Sequence, residues 1–217
     1  MRALILSLLL LECASPSSSP PAPDAAPVCG VGFLGDHGKP IDFEFRVVGG
    51  DAIDKPLKDG DDVQLVFPPQ GGRVIFVGVR ATNIDPCAVQ LSGAIRDVST
   101  KQVRVDARTI NLNPDGTGWG TSGTTSQSLI AAVSNYSNIP LCPNQWSATN
   151  VFDTQYELEV TLKESNHGTL EKARSLTKTI HVTPRCSEPG QLAPECRCIC
   201  HANYQLGEMC NLDGGDQ

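Results

Sequence analysis

Between Val63 and Val182 the apolar residues return at every second position in one short run after another, and this period restricts the fold more than any other feature. A two-residue period places the apolar side chains of a segment on one face of an extended strand. Five such runs are readable: Val63 to Phe67, Ala88 to Ile95, Gln102 to Leu112, Tyr156 to Leu162 and Leu176 to Val182. Arg73 to Ala81 is nearly all apolar and β-branched, as expected of a central strand, and Leu129 to Val133 is a shorter run, making seven strands. A leading strand, Asp42 to Val48, precedes them. Turn signals such as Pro68-Pro69-Gln70-Gly71-Gly72 stand between runs, as short antiparallel strands require. Helical periodicity is scarce, with Thr169 to Leu176 the one plausible helical turn. The pattern predicts an all-β fold, an immunoglobulin-like two-sheet antiparallel β-sandwich, with a jelly roll as the alternative closure. The Cys, Trp and Cys spacing of antibody domains is not present, so the likeness is one of architecture.

The amino-terminal residues argue for export. Arg2 precedes an apolar run, Ala3 to Leu11, which ends at Glu12-Cys13. A charged start followed by a short apolar run is the layout of a secretory signal peptide, and the run is shorter than the ~20 residues needed to span a bilayer. Leu10-Leu11-Glu12-Cys13 resembles the lipobox of bacterial lipoproteins, in which the cysteine becomes the lipidated first residue of the mature chain. Glu12 stands where that pattern has a small residue. The resemblance implies lipidation of Cys13; cleavage near Ala14 or Ser15, releasing a soluble protein, is the alternative. Ser15 to Pro27 is rich in Ser, Pro and Ala and has little apolar surface to bury, so it reads as a tether. The expected organisation is a signal peptide over 1–13, a tether over 14–27, a sandwich over 28–184 and a Cys-rich tail over 185–217.

Besides Cys13 the chain carries Cys29, Cys87, Cys142, Cys186, Cys196, Cys198, Cys200 and Cys210. An even set in an exported chain reads as a disulfide framework, and eight cysteines allow about 105 pairings, which the sequence does not resolve. Five of the eight crowd the tail, predicting a small disulfide-rich appendage packed on the sandwich. The run Cys196-Arg197-Cys198-Ile199-Cys200-His201 has a second reading as a soft-metal site, since thiolates and imidazole suit zinc or copper(I). Its spacing is tighter than the two to four residues usual between paired zinc ligands.

Composition narrows the function classes. A formal net charge of -7 without a Lys/Arg cluster argues against nucleic acid. Aromatic residues make up only 5%, low for a stacking surface. Gly118-Trp119-Gly120-Thr121-Ser122-Gly123 spells G-x-G-x-x-G, but no βαβ unit surrounds it, so it reads as a loop in the polar stretch Asn113 to Gln127. Trp119 on that loop is a possible contact residue, or else folds back on the sandwich edge. Trp146, in the loop Pro140 to Asn150, is expected to pack on a disulfide. Asp51, Asp54, Asp59, Asp61 and Asp62 gather before the first strong strand; lacking the order of a calcium loop, they read as solvated turn residues. His37, His167, His181 and His201 show no catalytic spacing, and no serine sits in G-x-S-x-G. Asn135-Tyr136-Ser137 is a glycosylation sequon, relevant only in a host that glycosylates exported chains.

Asp61 to Asp97, with Pro69-Gln70-Gly71-Gly72 ahead of a Val/Ile-rich strand, resembles uncharacterised exported lipoproteins of myxobacterial type, which pair a β-sandwich with a Cys-rich tail. The resemblance implies an envelope protein and carries no catalytic residue across. The expectation is therefore a non-catalytic binding or structural module without cofactor. It would be held on the bacterial envelope (outer membrane or periplasm) by a lipid anchor, or else secreted, facing an unidentified envelope or extracellular partner. A metal-handling protein using Cys196, Cys198, Cys200 and His201, and a secreted hydrolase with a cryptic site, are the alternatives.

Overall fold

The structure, a computed structural model, describes residues 30–124, 126, 128–165 and 173–210. The chain divides into two units, Met1–Gly30 and Val31–Gln217, and the second contains all of the elements described below. In chain order these are β1 (Asp42–Val48), β2 (Asp54–Pro56), β3 (Asp62–Gln64), β4 (Arg73–Thr82), β5 (Val89–Arg96), β6 (Val103–Ile110), β7 (Asn113–Pro114) and β8 (Trp119–Thr121). The helical turn α1 (Leu129–Ala132), then β9 (Ser137–Cys142), β10 (Tyr156–Lys163), β11 (Ser175–Arg185) and the helix α2 (Leu192–Cys200) complete the set.

Two sheets face each other as an all-β sandwich. One runs β3-β11-β10-β5-β6, and alternation builds it: Leu91, Gly93, Ile95, Leu158, Val160 and Leu162 are buried, and the residues alternating with them are more exposed. The other runs β2-β1-β4-β8-β7, with β9 also paired to β4. Strand β4 is its spine, bounded by β1 on one side and by β9 and then β8 on the other. Its run of apolar residues is continuous because both of its faces are covered. Ile75, Val77, Val79 and Ala81 enter the core between the sheets; Val74 and Phe76 join Val48, Val66 and Tyr136 in a second cluster on the outer face. Gly78 makes room there, since a Cβ on it would lie 2.6 Å from the Tyr136 ring.

Four expectations need correction. Leu129 to Val133 is a helical turn rather than a strand: Val133 N–H donates to Leu129 O at 3.0 Å, and the i, i+4 pair Leu129 and Val133 packs on the outer cluster while Ile130 is exposed. The sandwich is not wholly antiparallel, because β3 joins β11 in parallel. Pro184 tolerates this position since its neighbours make the ladder, through Thr183 N–H to Asp61 O (3.0 Å) and Leu65 N–H to Arg185 O (2.9 Å). The long polar loops are partly structured, with β7 and β8 forming a hairpin and β9 occupying the start of Pro140 to Asn150. The tail contains a nine-residue helix, α2. Residues 169–172 of the expected helical turn lie outside the described residues; Leu176 belongs to β11.

Candidate functional site

Helical geometry sorts the tail cysteines. At 3.6 residues per turn, positions four apart share a face and positions two apart do not. Cys196 and Cys200 therefore both point inward and are buried, whereas Cys198 is half-exposed. Cys200 bonds to Cys142 at the end of β9, across a sequence separation of 58, and Cys196 bonds to Cys186 just past β11. Cys198 bonds instead to Cys210 and closes a small outer loop. Cys87 is disulfide-bonded as well. Cys13 and Cys29 lie outside the described residues. The set Cys196, Cys198, Cys200 and His201 is thus not a ligand set in this fold. Its three sulfurs belong to three different disulfides, and the His201 ring faces Ala202 O (2.6 Å) and Glu208 (3.3 Å).

Polar clasps reinforce the staples. The last carbonyls of a helix have no partner within it. Here Asn144 N–H donates to Ile199 O (2.9 Å), Val151 N–H to Cys200 O (2.9 Å), and the Asn144 amide to His201 O (2.9 Å). Asn144 is buried for this purpose. At the other end the fully buried Arg73 donates to Leu192 O (2.8 Å) and to Glu195 (3.2 Å) and lies 3.7 Å from Glu188. Trp146 shares the main core cluster with Cys142, Cys196 and Cys200, and its indole N–H donates to Leu141 O at 2.9 Å. The adjoining Ser147 hydroxyl donates to Asp97 at 2.5 Å, beside Tyr156. Burial pushes the Asp97 carboxyl up. Hydrogen bonds from Ser147, Ser99 and Thr100 outweigh this and hold it well below the usual carboxylate range.

A cleft of about 670 Å³ opens between β1, β3 and the segment leading into α2, lined by Val47, Gly50, Lys55, Gln64, Glu188 and Leu192 among others. Its charges are answered from within the fold. Asp51 meets Lys55 at 2.5 Å, Arg185 bridges Asp62 (2.9 Å) and Asp153 (2.6 Å), and Glu188 accepts from Phe67 N–H (3.1 Å). The hydrogen bond from Lys55 is the main reason that the Asp51 carboxyl sits below its ordinary range. The edge strand β3 borders the cleft, and Gln64 folds over to accept from Gly50 N–H at 2.7 Å.

The acidic stretch does not converge. Asp54 takes a bidentate contact from Arg46 and the Tyr136 hydroxyl, Asp59 pairs with His181, Asp61 accepts from Lys58 N–H, and Asp62 pairs with Arg185. Trp119 lies half-buried on β8 beneath the Arg80 guanidinium, 4.7 Å from ring centroid to cation. Arg80 is in turn 2.7 Å from Asp115, whose carboxyl is held down at about 2, first by the Thr117 hydroxyl and N–H and then by Arg80. Trp119 is therefore seated on the sheet by an ordered cluster, and part of its ring stays open to solvent. His37 stacks on Phe33, and His167 lies outside the described residues. Ser137 of the sequon is buried and donates to Asp106 O at 2.9 Å.

Sequence reasoning passed over Arg73, Asn144 and the pairing of Cys142 with the tail. The Cys196/Cys200 spacing of four was the available signal, once the segment is helical. Comparison with protein-family models, with curated proteins and with solved structures finds no match. Disulfide-bonded cysteines on this scale fit an oxidising extracellular or periplasmic environment. No helix among the described residues is long and apolar enough to cross a membrane.

Proposed function

We propose that this chain is an exported, non-catalytic binding or structural module of the bacterial envelope, anchored through lipid on Cys13. The observation that carries the reading is the disulfide framework: seven cysteines from Cys87 to Cys210 are all bonded, and such frameworks persist where thiols are not kept reduced. The lipobox resemblance at Leu10-Leu11-Glu12-Cys13 and the Ser/Pro/Ala-rich tether support a membrane-held display. The cleft of about 670 Å³ offers a concave surface on which a binding module can seat a ligand.

Intact mass of the full chain expressed in a bacterial host, with and without alkylation in the absence of reductant, tests the reading. A mature chain starting at Cys13, carrying added lipid mass and taking up no alkyl group, is expected. Cleavage beyond Cys13 contradicts the anchor, and alkylation of several cysteines contradicts the oxidised state.

A further inference from the structure

We propose that Cys142, Cys186, Cys196 and Cys200, when reduced, hold one zinc ion or another thiophilic d10 cation as a tetrathiolate centre. In the oxidised chain the same four sulfurs make two neighbouring disulfides. The proposal stands on their geometry and concerns the reduced chain, whereas the envelope reading rests on the oxidised one.

The two disulfides touch. Cys196 Sγ and Cys200 Sγ are 4.0 Å apart, and the sulfurs of Cys186, Cys196 and Cys200 all lie within 4.8 Å of one another. Cys142 is bonded to Cys200 and lies next to this group, outside the 4.8 Å that the other three share. Four sulfurs at the corners of a tetrahedron around zinc, each about 2.3 Å from the metal, lie roughly 3.8 Å apart. The contact between the disulfides is already at that spacing. The bonded pairs have to open to that distance and the Cys142 sulfur has to turn toward the other three, both by side-chain rotation.

The scaffold suits a closed structural site. Two ligands sit four apart on α2, one ends β9 and one follows β11, so three elements converge on the group. All four cysteines are buried in the main core cluster, away from competing water. A tetrathiolate zinc centre carries two negative charges. Arg73, fully buried, is the cross-strand partner of Cys142, reaches Glu195 beside Cys196, and has an Nε–H with no hydrogen-bond acceptor.

The chemistry balances through a dithiol reductant. Each disulfide gains two electrons and two protons, and each dithiol leaves as its own cyclic disulfide. Zinc binding then releases four thiol protons and forms four Zn–S bonds. Cys198, Cys210 and His201 take no part.

The test reduces the full chain with dithiothreitol under native, anaerobic conditions, removes the reductant, and titrates with zinc and with cobalt(II). One metal per chain and the cobalt spectrum of a four-sulfur tetrahedron are expected, unchanged in Cys198→Ala/Cys210→Ala and in His201→Ala. Cys142→Ala and Cys196→Ala should each lose the four-sulfur spectrum and weaken zinc by more than the roughly 10–100-fold that loss of an outer-shell partner costs. If reduction alone erases the near-ultraviolet circular dichroism of Trp146, zinc should restore it. A cobalt spectrum that needs Cys198 or His201, a spectrum of fewer than four sulfurs in the unmutated chain, or failure of zinc to bind or to restore that signal would overturn the proposal.

Discussion

The sandwich and the tail hold their shapes by different means. In the sandwich, apolar side chains on alternate positions meet between two sheets, so order is spread over many similar contacts such as Leu158 with its cross-strand neighbours Ile95 and Ile180. In the tail, α2 is short, and its buried face is largely cysteine. Isolated helices of that length are marginal in water. What fixes it is a handful of specific links: two buried disulfides, the Asn144 and Val151 clasp at one end, and Arg73 at the other. A distributed core tolerates loss of one contact with its topology intact, whereas a linked appendage depends on a few atoms.

The sharpest way to break this contrast is to cut the staple joining the two regions. In the chain-entropy account, closing a separation of 58 residues contributes roughly 4 kcal/mol. Cys142→Ala/Cys200→Ala should lose about that much in chemical denaturation, and limited proteolysis should then cut 185–210 while the β-sheet circular dichroism persists. Leu158→Ala should cost about 3 kcal/mol through the cavity it leaves. Its loss should appear as one cooperative transition of the sandwich, with no selective exposure of the tail. Cys198→Ala/Cys210→Ala opens a loop of separation 12 that carries the exposed Leu206 and Met209, and should cost no more than about 3 kcal/mol. Calorimetry should show the sandwich transition unmoved in shape. Smallest is Asp97→Asn, which weakens the link from Ser147 to the β5 end by about 2 kcal/mol near neutrality.

The sign of the Asp97 effect follows from its depressed folded pKa. Its contribution is fully present above the unfolded value of about 3.9 and is lost as pH falls toward the folded one. The stability difference between the parent chain and Asp97→Asn should hold constant from pH 7 to about pH 5 and shrink below about pH 4. Denaturant titrations across that range check it.

Much of the sandwich was legible in the sequence, because a half-buried strand leaves its period in the residues. Tyr156 to Lys163 and Val89 to Arg96 show this directly. Strands β2, β7 and β8 were not legible, since two or three residues carry no period. The strand reading of Leu129 to Val133 failed because five apolar residues without alternation suit either element, and two alanines favour the helix. The tail helix is not legible, because its nine residues include a proline and bury cysteines rather than a run of apolar residues at helical spacing. Once α2 is recognised, the spacing of Cys196, Cys198 and Cys200 separates two inward sulfurs from one outward sulfur. Pairing with Cys142 depends on where β9 ends relative to α2, a tertiary fact that no local pattern encodes.

The account rests on how the tail is bonded to the sandwich, and peptide mapping of the unreduced full chain by mass spectrometry measures that directly. It predicts linked peptides joining Cys142 to Cys200, Cys186 to Cys196 and Cys198 to Cys210, with no alkylated thiol among these six. A link between Cys198 and Cys142 or Cys186, or free thiols at Cys196 and Cys200, would contradict it.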